Sequence, residues 1–390
     1  MIRVTIERPS IALAAHWEKV APFASNAFMH PVALQAASDT LSAAITVLLA
    51  WDTSEEPNRL VGWWALQRRR LLLWSYLEAQ PFSYAFLSTP VLAPGTADDV
   101  MPAFLSAIAR GNGLPATLRL RDFDGAGPHA SALDAAALPH TLLVTDLRPT
   151  ATREDGLKRS GSTRKKLRQD WNRLAATGEL EAINVRAPDA IGAAIEAFLE
   201  LEASGWKGDR GTALLNDAAD AAFARRFIAD MAAAGLASIA LLRLDGRPVA
   251  AQVLIYSGRT AYTWKTSYDP GLAKYSPGML LVDRICTELL DGGEIDMLDS
   301  CAVADGFMGR LLSGRKPMLD MVVSTRSGWS PSYLAVAGYF RLREWAKQMR
   351  NRTLVARPAP AQPTPLAAGP FAESAMPEPS AQRSRADRSA

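Results

Sequence analysis

Hydrophobic positions along the chain switch repeatedly between a two-residue and a 3.6-residue period, which predicts strands alternating with helices. Residues 42–50 and 60–66 are apolar runs on either side of the polar turn Asp52-Thr53-Ser54-Glu55-Glu56-Pro57-Asn58, a pattern that predicts an antiparallel pair. Residues 70–74 predict a third strand, and residues 98–109 a helix with an acidic first turn. Residues 117–121 and 141–146 read as further strands. A basic helix then starts at Ser162 and stops at Gly178.

The later half repeats the alternation with sharper punctuation. Residues 189–204 and 218–234 have helical spacing, the second closed by Gly235. Residues 238–244 and 248–256 form a predicted hairpin around Asp245-Gly246, and residues 260–266 predict the next strand. A loop bearing glycine and proline covers 269–278, a helix 279–290, and later strands 295–298 and 318–324. This order builds a mixed sheet with helices on its faces. Its recurrence predicts an internal duplication with a boundary near Thr150. A helix is expected over 336–356. From 357 to 390 the Pro, Ala and Ser content, poor in large apolar residues, predicts a disordered tail.

Composition narrows the function classes. A length of 390 residues exceeds the ~150 of a typical domain, so two domains are expected. The net charge of +3 is too small for a dedicated nucleic-acid binder. Cys286 and Cys301 form no CxxC pair, and His16, His30, His129 and His140 have no metal-ligand spacing. No metal and no disulfide framework are therefore expected, and a reducing cytoplasm is the expected location. The first residues lack a signal-peptide pattern. The most apolar stretch, 41–51, is about half the ~20 residues of a membrane span and is read as a buried strand.

Candidate chemistry sits at Tyr275-Ser276-Pro277-Gly278, directly before a helix. A helix start exposes unpaired N–H groups and partial positive charge, so a pyrophosphate would fit there. Gly278 would let a ligand approach the backbone, and Pro277 pre-sets its direction. Many helices begin this way and bind nothing, so the signal gains weight only from its surroundings.

With those surroundings the chain resembles the GNAT superfamily of acyltransferases, in the BioF2-like or CelD-type branch associated with cellulose biosynthesis. The resemblance rests on Asp245-Gly246-Arg247-Pro248-Val249-Ala250, on Tyr268-Asp269 through Ser276-Pro277-Gly278-Met279-Leu280-Leu281, and on Leu298-Asp299-Ser300-Cys301-Ala302 followed by Leu311 through Arg315-Lys316. The helix at 164–173 and the Gly205-Trp206-Lys207-Gly208 turn are also similar, so the likeness runs from about 153 to 329. The tandem arrangement is similar to the Fem family of aminoacyltransferases. The commoner GNAT phosphate loop has an Arg or Gln ahead of two glycines; here only Gly278 matches.

The resemblance implies an α/β fold of two tandem lobes, 1–150 and 151–335, each a mixed, mostly antiparallel sheet flanked by helices. It implies direct transfer from acetyl-CoA or another acyl-CoA to an amine, such as an amino sugar or a cell-envelope polysaccharide intermediate. Thr266, Ser276, Gly278 and Met279 are then the CoA contacts. Trp206, Lys207, Gln252, Lys265 and Ser300 would meet the acceptor, and a backbone N–H within 262–266 would polarise the thioester carbonyl. Asp299 is the candidate base or amine anchor, and Tyr268 the proton donor to the leaving thiolate.

Plainer readings stand beside these. Asp299 suits a turn cap, Lys265 the solvent face of an alternating strand, and Trp206 a packing role. Cys301 reads as a structural thiol, because no histidine follows His140. The run Arg164-Lys165-Lys166 with Arg168 and Arg173 is a solvated helix face or a phosphate- or tRNA-binding one. Two rival functions follow: an aminoacyl-tRNA-dependent transferase of the Fem type, and a non-catalytic accessory of polysaccharide export.

Overall fold

Among the described residues, thirteen strands join one sheet whose order is the same from either edge inward. The computed structural model describes residues 1–355 apart from 11, 55, 112 and 158, so the segment 357–390 lies outside the described residues. The first half supplies β1 (Ile2–Glu7), β2 (Ile45–Asp52), β3 (Arg59–Leu71), β4 (Trp74–Glu78), β5 (Val91–Leu92), β6 (Thr117–Asp124) and β7 (His140–Thr152). The second supplies β8 (Leu180–Val185), β9 (Ala237–Leu244), β10 (Arg247–Ser257), β11 (Thr260–Tyr268), β12 (Met297–Asp299) and β13 (Gly314–Ser324). Helices α1 (Leu13–Trp17), α2 (Pro31–Thr40), α3 (Ala97–Ala109) and α4 (Pro128–Ala135) belong to the first half. The second contains α5 (Gly161–Ala175), α6 (Pro188–Ser204), α7 (Trp206–Asp209), α8 (Ala218–Ala233), α9 (Pro277–Asp291), α10 (Met308–Leu311) and α11 (Pro331–Val355).

The spatial order is β1-β2-β3-β4-β6-β13-β7-β12-β11-β10-β9-β8, with β5 paired to β3 outside this path. Each half therefore runs outer strand, antiparallel hairpin, fourth strand, helix, and a fifth strand parallel to the fourth. In the first half the parallel pair is β4–β6 around α3; in the second it is β11–β12 around α9. The fold is thus two tandem GNAT-like lobes in one mostly antiparallel sheet. At its centre the halves exchange strands: β13 lies between β6 and β7, while β7 pairs with β12. The exchange pairs the backbone groups that each fifth strand would otherwise leave open.

Strands β9 and β10 are apolar at most positions because both faces are covered. Ile239 and Leu241 of β9 point to the side of Phe198, Phe223 and Phe227 from α6 and α8, in the main core. Their neighbours Ala240 and Leu242 point to the side of Leu281, Ile285 and Leu289 from α9. The Asp245-Gly246 turn takes φ of 50° and 76°, the left-handed pair that a tight hairpin demands. Asp245 is held there by the Glu179 N–H, which donates to its Oδ1 at 2.8 Å.

Some expectations shift. Residues 70–74 are not one strand: Arg70 and Leu71 end β3, Leu72 and Leu73 form the turn, and Trp74 opens β4. Their apolar character mimicked a core strand, but Leu72 and Leu73 are 85% and 83% exposed. The loop expected over 269–278 contains a 3₁₀ turn, Pro270–Tyr275, and α9 begins at Pro277, since proline suits a first helical position. The C-terminal helix starts at Pro331 for the same reason.

Candidate active site

Strands β11 and β12 run side by side for three residue pairs, Thr260–Met297, Ala261–Leu298 and Tyr262–Asp299. There β12 ends, and the chain turns away at Cys301 with a left-handed φ of 50°. The strand β11 continues to Tyr268, paired on its other side with β10. The resulting wedge holds a cavity of about 550 Å³, lined by residues 263–266 of β11, by Ser300, Cys301 and Ala302, by the start of α9, and by Phe307 and Met308. Opposite Val253 stands Lys265, yet opposite Leu254 stands Thr263, so Trp264 is an extra residue on β11. Such a bulge interrupts the ladder and re-aims the local backbone beside the cavity. The indole of Trp264 is buried in the main core, and its Nε1 donates to the Tyr84 carbonyl at 2.9 Å.

The start of α9 closes one end. Ser276 takes a left-handed φ of 54°, its hydroxyl does not cap the helix, and Pro277 has no N–H to satisfy. Gly278 was expected to admit a ligand, but its neighbours give it another duty. A Cβ there would lie 3.3 Å from Tyr268 Cδ1 and 3.4 Å from Thr266 Cγ2, so the glycine lets the helix start press against β11. Thr266 is in turn held by its hydroxyl, which donates to Gln252 Oε1.

A smaller cavity of about 190 Å³ adjoins the first and shares Trp206, Lys207, Thr266 and Tyr268 with it. Its wall includes Glu202 of α6, which the sequence alone did not single out. The Glu202 carboxylate is buried and accepts from Lys207 Nζ at 2.7 Å and from the Leu214 N–H at 2.9 Å, with Lys265 Nζ at 3.6 Å. Burial opposes its charge, but Lys265 and Lys207 outweigh that and hold the carboxyl below its ordinary pKa. Burial pushes the Lys265 ammonium the other way, below its usual pKa, with Glu202 resisting. Lys265 also lies against the Tyr84 ring, 5.1 Å from its centroid. Nothing in a solvent-face reading of an alternating strand anticipates this burial, because the cover comes from a different helix.

The structure therefore gathers Tyr268, Thr266, Ser276, Gly278, Met279, Trp206, Lys207, Lys265 and Ser300 around one cavity. Two candidates are not brought there. Gln252 is fully buried behind Thr266, its Nε2 donating to the Val253 carbonyl. Asp299, expected as a base or amine anchor, is fully buried; its Oδ1 accepts from the Cys301 N–H at 2.9 Å and lies 3.6 Å from Arg148 Nη1. It caps the turn that carries Ser300 and Cys301 into the cavity. Burial pushes the Cys301 thiol well above its usual pKa, so it is a poor nucleophile.

The first half contributes Phe86 to the cavity, and its carbonyl accepts from Arg148 Nη1 at 2.5 Å. No sequence signal marks Phe86. Elsewhere, Arg159, Arg164, Arg168 and Arg284 line another cleft, between α5 and α9, of about 250 Å³, in which Arg159 pairs with Asp283. Among the described residues no cluster of His, Cys, Asp and Glu could hold a metal ion, and no helix is long and apolar enough to cross a membrane.

Comparison with known proteins agrees with this geometry. Residues 161–307, which span α5 through the turn after β12, match the family model of the acetyltransferase (GNAT) domain. No curated protein matches the chain. Among solved structures, the chain is similar to FemX at 9% identity, covering 82% of this chain and 96% of that one, with a TM-score of 0.55. It is also similar to L-PGS from Bacillus licheniformis at 10% identity (85% and 97% covered, TM-score 0.52). A conserved protein of unknown function from Bacteroides thetaiotaomicron VPI-5482 aligns at 12% identity (83% and 100% covered, TM-score 0.52). At these identities the likeness is one of fold.

Proposed function

We propose that this chain, which carries a GNAT-type acetyltransferase domain across residues 161–307, transfers an acyl group from acyl-CoA directly to an amine. The observation that carries this reading is the wedge between β11 and β12, opening beside a bulged strand and the uncapped start of α9. Three requirements of the reaction meet there.

The pyrophosphate of a CoA thioester needs a positive, hydrogen-bonding end, which the α9 start supplies at Gly278 with Met279 beside it, although the Met279 N–H itself already donates to the Ser276 carbonyl at 2.9 Å. The thioester then extends along β11, where the interrupted ladder at Trp264 offers backbone N–H to its carbonyl, a contribution of about 3–4 kcal/mol at most. Holding amine and thioester in line contributes more.

An amine arrives protonated and must lose a proton before its nitrogen can attack. Lys265, half-buried and shifted toward its neutral form, is positioned to take that proton, with Glu202 stabilising the ammonium so formed. As the new C–N bond forms and the C–S bond breaks, Tyr268 protonates the departing thiolate. Trp206, Lys207 and Ser300 line the acceptor side. An amino sugar or a cell-envelope intermediate fits a pocket that combines Trp206 with polar groups.

A second reading, an aminoacyl-tRNA donor, draws support from the arginine cleft at 159, 164, 168 and 284. One experiment separates the two: calorimetric titration with acetyl-CoA and a long-chain acyl-CoA, on wild type and Met279→Glu. A carboxylate in the first turn suits the helix dipole but repels a pyrophosphate, so the variant is expected to fold normally and bind on the order of tenfold or more weakly. Folded wild type that binds neither thioester would sink the acyl-CoA reading and bring the aminoacyl-tRNA donor forward.

A further inference from the structure

The first half ends its long hairpin on an unusual tip. The sequence Arg68-Arg69-Arg70-Leu71-Leu72-Leu73-Trp74 turns between β3 and β4, with Leu72 and Leu73 85% and 83% exposed and Trp74 partly so. Leu72 sits at a φ of 52°, a left-handed position where glycine or asparagine would be free of strain. A bulky aliphatic pair is thus held out in water on a two-residue turn. Soluble hairpins place polar residues there.

Directly behind the tip lies a cavity of about 320 Å³ lined by five arginines, Arg69, Arg70, Arg119, Arg121 and Arg343, against one carboxylate, Glu78. Glu78 is taken by Arg119, whose Nη1 donates to it at 3.0 Å. Arg119 is 92% buried, its relative exposure being 8%, and its Nε has no hydrogen-bond partner. The remaining arginines leave this pocket strongly positive. Its far wall is α11, through Tyr339, Phe340 and Arg343. From Tyr339 an exposed apolar stripe continues along that helix over Leu342 and Trp345, with Leu334 on the same side.

We propose that the β3–β4 tip and the α11 stripe dock this protein onto an anionic lipid bilayer, with lipid phosphates received by the arginine pocket. The chemistry is layered as a membrane surface is layered. Leu72 and Leu73 reach the acyl boundary. Arg70 and Arg69 lie two and three residues back, about 7–10 Å along a strand, at the depth where phosphates sit. Trp74, Tyr339 and Trp345 combine an apolar ring with a polar edge, as residues at that interface do. Charge selects the bilayer over other occupants: a neutral apolar partner would leave the arginines unmatched, and a nucleic acid would leave the two leucines in water.

The test is co-sedimentation of the full chain with phosphatidylcholine vesicles, with and without phosphatidylglycerol. Wild type is expected to sediment with the anionic vesicles, and progressively less as salt rises. Leu72→Ser with Leu73→Ser is expected to weaken this binding on the order of tenfold. Arg69→Gln with Arg70→Gln should weaken it similarly and flatten the salt dependence. Both pairs are solvent-facing enough to leave the thermal midpoint unchanged, and that is measured alongside. Binding absent in wild type, equal on neutral and anionic vesicles, or unchanged in both variants overturns the proposal. So does a wild-type dimer that becomes monomeric in Leu72→Ser/Leu73→Ser without any vesicle binding, which would identify a second copy as the occupant.

Discussion

The two halves share one topology and differ at the wedge where their fourth and fifth strands separate. In the first half the last parallel pair is Glu78 with Arg119, two side chains that bind each other across the gap. In the second it is Tyr262 with Asp299: the tyrosine hydroxyl donates to the Ser25 carbonyl, Asp299 faces Arg148, and the gap beyond them stays open. An ion pair occupies the mouth of one wedge, beside the cavity of about 320 Å³ that Glu78 and Arg119 line; side chains turned away from each other leave the larger opening, of about 550 Å³, in the other. Duplication thus supplies two similar frames, and the side chains of the last strand pair decide how far each one opens.

The largest test of this contrast is Arg148→Met. Arg148 donates to Asp122 at 2.7 Å and faces Asp299, so its loss strands two carboxylates, one of them fully buried. Urea unfolding is expected to show a loss of about 3–5 kcal/mol. If the variant is as stable as wild type, the buried network does not hold the wedge open.

Next comes Lys265→Met. An isosteric apolar replacement should keep the fold and cost roughly 10²–10⁴-fold in kcat. A companion, Glu202→Gln, removes the attraction that favours charged Lys265. The Lys265 pKa then falls further, so the limb of the rate profile that needs a neutral lysine is expected to move to lower pH. A limb that stays in place assigns the base elsewhere.

A smaller effect is expected for Arg119→Met in the ion-paired wedge. Burial already holds the Glu78 carboxyl above its ordinary pKa, so it can take a proton instead of remaining as an unpaired charge. The single variant should cost about 2 kcal/mol, and Arg119→Met with Glu78→Leu less than that. A double variant worse than the single would show that the pair contributes net stability.

The smallest effect at neutral pH belongs to His30, at the start of α2. Its Nδ1 accepts from the Val32 N–H at 3.3 Å, and burial lowers its pKa to about 4. The unfolded imidazole binds the proton near its ordinary pKa of 6.5, so stability falls as pH drops from there toward 4, by up to about 3 kcal/mol. His30→Asn keeps the cap acceptor and should remove that slope; an unchanged slope between these pH values assigns it to another group.

Much of this was legible in the chain. The Asp245-Gly246 turn, the helical spacing of 218–234 and the apolar alternation of β9 to β11 act locally, through φ preferences and burial periods. Ser276, Gly278 and Tyr268 were also marked, because a helix start and a strand end are local features. Other parts were hidden for equally physical reasons. Leu72 and Leu73 looked like a core strand, since an apolar run carries no mark of whether anything covers it. β8 has only partly buried residues at the sheet edge, so its pattern is faint. Glu202, Phe86 and Arg148 reach the site across 60 residues or more of chain or from another helix, and no spacing rule links them to it.

The sequence by itself determined most of the elements, the repeated order of the two halves and the helix start that borders the cavity, because dihedral preference and hydrophobic period are properties of neighbouring residues. Only the tertiary structure decided that β7 and β13 change places, that Asp299 turns to Arg148, and that Lys265 meets Glu202 away from water. Those outcomes depend on which distant groups share one desolvated space, where a charge must find a partner or change its protonation.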